Sequence, residues 1–144
     1  MKIVKTTNKL GFTLLDDGSI SIYLALLDLS FSNDTYSRVE LLIDTGASTS
    51  VLSLGTVLSL GYKRLGTGNY TIVSTFAGRM KCYDYEIPSF RLAGDLLVDK
   101  PIVWVPEGSY RAENLLGQDI LAEYNYYVDN DDSCMYFESK VKNS

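Results

Sequence analysis

Leu41-Leu42-Ile43-Asp44-Thr45-Gly46-Ala47-Ser48 is the stretch on which the reading of this chain turns. Three apolar residues in a row, led in by Val39-Glu40, fit a strand covered on both faces. Asp44 follows at the point where that strand leaves the core. Thr45 offers a hydroxyl that can fix a turn, and Gly46 allows backbone geometry or a close approach that a side chain would block. Asp-Thr-Gly on its own is also a common turn tripeptide, so a plain surface turn stays open until the context is added.

Upstream, Ile20, Ile22, Leu24 and Leu26 alternate with other residues, the period-two pattern of a strand. The polar run from Ser30 to Ser37 reads as the loop of a hairpin joining it to Val39–Ile43. Asp16-Asp17-Gly18 is a turn, and residues 1–17 read as a lead-in. Downstream, apolar residues at Val51, Leu54, Val57 and Leu58 predict a short helix stopped by Gly61. Gly66 to Gly68 marks another turn. Tyr70–Thr75 and Met80–Ile87 read as two strands around a tip at Phe76-Ala77-Gly78-Arg79. Further strands are expected around Phe90 and Leu92 and at Ile102-Val103-Trp104-Val105. Leu115-Leu116-Gly117 precedes a short helix over Gln118–Glu123. Tyr126–Val128 and Cys134–Phe137 form a closing hairpin over Asp129–Asp132, and the tail from Glu138 is expected to fray. Many short strands with two brief helices predict a mainly β, barrel-like single domain over residues 1–144.

Composition excludes more than it suggests. The chain of 144 residues has no histidine. That removes Ser-His-Asp and Cys-His nucleophiles and His-Glu-x-x-His zinc sites together. A hydrolase built from this sequence has to work with carboxylates, lysine or tyrosine. The net charge of −5, with scattered lysines and arginines, argues against nucleic acid as a partner. No apolar run reaches the roughly 20 residues of a membrane span, and Met1–Lys9 is not followed by a signal-peptide core. No membrane association and a cytoplasmic location are expected. Cys82 and Cys134 read as free thiols packed like small hydrophobes.

Asp44-Thr45-Gly46-Ala47, preceded by an apolar strand and followed some 70 residues later by Leu115-Leu116-Gly117 and a helix, resembles the retropepsin-like aspartic proteases. The resemblance implies a closed, barrel-like acid-protease fold in which Leu115-Leu116-Gly117 packs beside the catalytic loop in a ψ shape. It implies Asp44 as the catalytic carboxylate, supported by Thr45 and Gly46. Gly46, Ala47 and the flap-tip residues Phe76, Ala77 and Gly78 would contact substrate. One Asp-Thr-Gly in a chain of this length implies a homodimer that brings two copies of Asp44 together on a two-fold axis. The expected partner is a peptide or protein substrate, with no cofactor and no metal. Retroviral members often carry an acidic residue and an arginine where this chain has Ser48 and Gln118. The alternative from another class is a non-catalytic peptide- or protein-binding module that keeps the fold.

Other polar residues read as structural. Asp119 is expected to cap the helix that follows Gly117. Asp129, Asp131 and Asp132 lack the glycine and terminal glutamate of a calcium loop and read as a solvated turn. Tyr124, Tyr126 and Tyr127 read as packing on a strand surface or at an interface, and Trp104 as core or flap-underside packing.

Overall fold

The computed structural model describes residues 9–64, 69–75, 78–86, 90–93, 96–98, 102–107 and 114–139. In chain order they form β1 (Lys9–Leu14), β2 (Ile20–Leu27), β3 (Tyr36–Ile43), α1 (Leu54–Ser59), β4 (Tyr70–Thr75), β5 (Gly78–Glu86) and β6 (Phe90–Ala93). Next come β7 (Leu96–Val98), β8 (Ile102–Pro106), β9 (Leu115–Leu116), α2 (Gln118–Leu121), β10 (Tyr124–Asp129) and β11 (Cys134–Ser139). The main sheet runs β10-β11-β1-β2-β3-β9, with β6 pairing β2 and β7; β4, β5 and β8 form a second, three-stranded sheet. Among the described residues the fold is mainly β with two short helices, as the sequence pattern predicts, and the sheet is curled.

The period-two residues of β2 carry the core. Ile22, Leu24 and Leu26 are buried and pack with Leu41, Leu116, Leu121 and Phe137 in one cluster, and burying each such side chain contributes about 1.5–3 kcal/mol. The apolar run at the end of β3 is covered on both faces, because its alternate residues serve two clusters. Leu41 and Ile43 belong to the main core, while Leu42 packs with Val51, Val73, Cys82 and Leu115.

Helix α1 starts where Ser53 Oγ accepts the Thr56 N–H at 3.2 Å, an N-cap worth about 1 kcal/mol. It stops at Gly61, whose φ of +80° is the left-handed conformation that favours glycine. The sequence pattern starts this helix too early: Val51 lies in extended backbone, bridged to Trp104 and Leu115.

Two further differences concern the ends. Lys9–Leu14, within the stretch read as a lead-in, is a strand that pairs with both β2 and β11. Its side chains are mostly exposed or half-buried, so it shows little apolar alternation. Glu138, where fraying was expected, is inside β11 and pairs with Asn125.

Candidate active site

Asp44 lies just past the C-terminal end of β3. Its N–H donates to the Leu116 carbonyl at 3.0 Å, and two residues earlier the Leu42 N–H donates to the Asn114 carbonyl at 2.8 Å. The parallel pairing of Leu42 with Leu115 and Ile43 with Leu116 continues those bonds. On its other side Leu115 exchanges hydrogen bonds with Val51, at 2.9 and 3.0 Å. Leu115-Leu116 is thus clamped between the strand entering the Asp44 turn and the segment leaving it, which is the ψ-shaped crossing.

The turn is tight and internally bonded. Gly46 N–H donates to Asp44 Oδ1 at 3.0 Å, and Ala47 N–H donates to the Asp44 carbonyl at 3.1 Å. Asp44 is 8% exposed, while Thr45 and Gly46 are exposed and Ala47 is buried. The fold therefore sets a nearly buried carboxylate behind a small exposed surface made by Thr45 and Gly46.

Gly117 is where the crossing closes. A Cβ there would sit 2.8 Å from the Ala47 carbonyl oxygen and 2.9 Å from the Thr49 carbonyl carbon. Only a residue without a side chain allows that approach. Around it, Gly117 N–H donates to Ser50 Oγ at 2.8 Å. Ser50 Oγ and Ser50 N–H both donate to Asp119 Oδ1, at 2.7 and 2.9 Å.

Asp119 thus does not cap its own helix. The N-cap position is Gly117, with no side-chain cap bond. The Asp119 carboxylate instead ties the first turn of α2 to the segment after the Asp44 loop. Gln118, at the place where retroviral members often have arginine, donates from Nε2 to the Thr45 carbonyl at 3.1 Å. A hydrogen bond to the loop backbone stands where an ion pair to Ser48 has no acceptor charge.

Sequence reasoning missed Ser50 and Asn114 as parts of this site. Asn114 Nδ2 donates to the Glu40 carbonyl at 3.0 Å, and its Oδ1 accepts from Ser53 N–H (2.8 Å) and Thr56 Oγ1 (3.1 Å). One side chain so joins β3, α1 and β9. The only sequence signal was a polar residue immediately before Leu115-Leu116.

The β4–β5 hairpin packs on the crossing. Val73 and Cys82 are buried against Val51 and Leu115, with Met80 and Trp104 half-buried beside them. Burial pushes the Cys82 thiol up to about 11. The register runs from Tyr70↔Tyr83 to Thr75↔Gly78, and Gly78 has a φ of +113°. Of the expected tip residues, Phe76 and Ala77 lie outside the described residues.

Elsewhere, Asp129 Oδ1 accepts from the N–H groups of Asp131 and Asp132, at 3.1 and 3.3 Å. Tyr126 and Tyr127 stack at a tilt on Phe137 and Tyr136. Cys82 and Cys134 are both buried and free. No helix among the described residues is long and apolar enough to cross a membrane.

A family model described as gag-polyprotein putative aspartyl protease matches residues 32–123, a span that holds the Asp44 turn, the hairpin, Leu115-Leu116-Gly117 and α2. The chain belongs to that retropepsin-like aspartic protease family. Among solved structures it is similar to a retropepsin-like aspartic protease from Rickettsia conorii, with a TM-score of 0.58 and 16% identity over 95% of each chain. At that identity the likeness is one of fold. No curated protein matches the sequence.

Proposed function

We propose that this protein is an aspartic endopeptidase, and that its water-activating pair consists of Asp44 from each of two copies of the chain. The observation that carries this reading is the setting of Asp44: a residue 8% exposed, its backbone held by the bond to Leu116 and its carboxylate by the Gly46 N–H, beside an exposed Thr45-Gly46 surface. A turn aspartate with no chemical task has no need of such a setting.

The chemistry follows from putting two such carboxylates side by side. Two carboxylates at hydrogen-bond distance cannot both ionise, so the pair holds one proton and titrates as a unit. The ionised member takes a proton from a water molecule as that water attacks the scissile carbonyl carbon. The protonated member gives its proton to the carbonyl oxygen. In the second half the tetrahedral diol collapses, a proton passes to the departing nitrogen, and the C–N bond breaks. Amine and acid leave, and the pair is again singly protonated. Thr45 and Gly46 would line the floor of the cleft, and the β4–β5 hairpin would cover an extended substrate.

Asp44→Asn tests the reading directly. Digestion of an unbiased peptide library at acidic to neutral pH should fall by about 10²–10⁴-fold or more, with the circular dichroism spectrum unchanged. Pepstatin should bind the native chain and lose affinity for the variant. Sedimentation should show a dimer where cleavage is measured. Undiminished cleavage by the variant, or by a strict monomer, would overturn the reading.

A further inference from the structure

Alternate side chains of the β4–β5 hairpin turn to opposite faces. Val73 and Cys82 take the inner face and are buried with Val51 and Leu115. The outer face carries Tyr70 and Ile72 from β4 and, opposite them in the register, Tyr83 and Lys81 from β5. Arg79 follows on the same face, two residues nearer the tip. Tyr70, Ile72, Arg79 and Lys81 are exposed, and Tyr83 is half-buried. The Tyr70 and Tyr83 rings meet edge to face, with centroids 6.5 Å apart.

Cations are stacked on those rings. The Lys81 ammonium lies 4.5 Å from the Tyr70 centroid and 5.6 Å from that of Tyr83. Arg64, bridged through its backbone to Tyr85, sets its guanidinium over the Tyr83 ring, 3.8 Å from the centroid. A cation held on a ring is fixed in place and still has N–H groups to offer an acceptor.

The carboxylate in contact with these groups is Glu107. It accepts from the Tyr83 hydroxyl at 2.6 Å and lies 3.9 Å from the Lys81 ammonium. Arg64 and Arg79 have no ion pair among the described residues. The hairpin's outer face thus keeps a positive excess in a chain whose net charge is −5.

Charge and place together choose the occupant. The cations ask for carboxylates, and the exposed Tyr70 and Ile72 offer apolar contact beside them. An extended chain that mixes acidic and apolar side chains meets both demands. From Arg79 to Tyr83 the row spans about 13 Å, at ~3.3 Å per residue. A phosphate backbone fits less well, because the chain as a whole repels it.

We propose that the outer face of this hairpin is an exosite for the protein substrate, where an acidic stretch outside the cleaved segment docks on Arg64, Arg79 and Lys81. This rests on the reading of Asp44 as half of a peptidase pair, with the hairpin covering its cleft. Binding energy gathered away from the reacting bond is the same in the ground and transition states. The exosite therefore lowers KM and leaves kcat alone.

Docking is measured on the full chain carrying Asp44→Asn, with a fluorescein-labelled, end-blocked peptide, Glu-Glu-Leu-Glu-Glu-Leu. Saturable binding is expected, weakened about tenfold or more between ~50 and ~500 mM salt. Lys81→Glu and Arg64→Glu should each weaken it about tenfold or more. Arg38→Glu changes the net charge equally on the main sheet, and should bind as its parent does. Should either reversal on the hairpin face fail to fold, Lys81→Gln and Arg64→Gln take their place, with a loss of about threefold each. Recruitment is measured on the native chain. Joining the same acidic stretch to a peptide that the chain cleaves should lower KM about tenfold and hold kcat within about twofold. Lys81→Glu should erase that gain.

No saturation up to about 1 mM peptide, undiminished binding to every folded variant, or docking with no effect on KM would each overturn the proposal. Equal or tighter binding of pentathymidylate would make the face a general polyanion site, and would overturn it too. Cleavage without docking sinks the exosite alone. Docking by a native chain that cleaves no peptide sinks the Asp44 reading, and with it the assignment of the occupant as substrate.

Discussion

Replacing Gly117 by alanine measures how tightly the ψ-shaped crossing is closed. The backbone there is extended, with φ −106° and ψ −172°, a conformation open to any residue. An alanine at such a site would by itself stabilise by about 0.4–1 kcal/mol, by restricting the unfolded chain. Contact opposes it. The new Cβ would meet the Ala47 oxygen at 2.8 Å and the Thr49 carbonyl carbon and oxygen at 2.9 and 3.0 Å. All three are main-chain atoms, so no side-chain rotation relieves the clash. Overpacking of this kind costs about 1–3 kcal/mol. Pushing the segments apart also stretches the bonds from Gly117 N–H to Ser50 Oγ and from Gln118 N–H to the Ala47 carbonyl, both 2.8 Å, each worth about 1 kcal/mol. The net expectation is a loss of roughly 2–4 kcal/mol in urea unfolding, and a fall in Tm of about 6–16 °C. Ala47 is the neighbour that must move, so peptide cleavage well below Tm should also fall, by about 10- to 100-fold. Gly11→Ala is the control: its Cβ would find only the Ser133 carbonyl oxygen, at 4.0 Å, and stability should stay within about 0.5 kcal/mol. A Gly117→Ala chain with Tm within about 1 °C of the native value would refute the reasoning.

Other expectations follow from the same bonds. Ser50→Ala strands the buried Gly117 N–H and removes a donor to Asp119 Oδ1, and should cost about 1.5–3 kcal/mol in urea unfolding; an unchanged midpoint would show the bonds to be dispensable. Hydrogen bonds from the Ser30 and Ser37 hydroxyls hold the Asp28 carboxyl below the ordinary aspartate value. Its stabilisation is therefore complete above that ordinary value and is lost as pH falls through the depressed one. The stability gap between the native chain and Ser37→Ala should narrow in acid, and a gap equal at neutral pH and at about pH 2 would contradict this. Cys82, buried and with its thiol pushed up to about 11, should resist iodoacetamide at mildly alkaline pH in the folded chain and react once urea unfolds it; rapid labelling of the folded chain would place the thiol elsewhere.

Much of the fold was legible because it is written in local periodicity. Ile22, Leu24 and Leu26 alternate, and they are buried in the core. Leu41-Leu42-Ile43 is continuously apolar because Leu42 faces a different cluster from its neighbours. Gly61 stops α1 because it holds a positive φ. Lys9–Leu14 was missed because its strand character comes from partners on both sides, β2 and β11, rather than from its own pattern. Val51 was assigned to the helix because its spacing to Leu54 suits one. Its place is fixed instead by backbone bonds to Leu115.

The same division runs through the candidate site. The sequence by itself determined the apolar strand that delivers Asp44, the turn made by Thr45 and Gly46, the absence of any histidine, and the later Leu115-Leu116-Gly117. Each is a matter of residue type and near neighbours. Only the tertiary structure decided that Asp119 is held by Ser50, 69 residues away, that Gln118 reaches the Thr45 carbonyl, and that Asn114 joins β3 to α1. A polar side chain takes whichever donors and acceptors the folded chain carries to within about 3 Å. Separation along the chain leaves no trace of which ones those are, until Gly117 lets the two backbones meet.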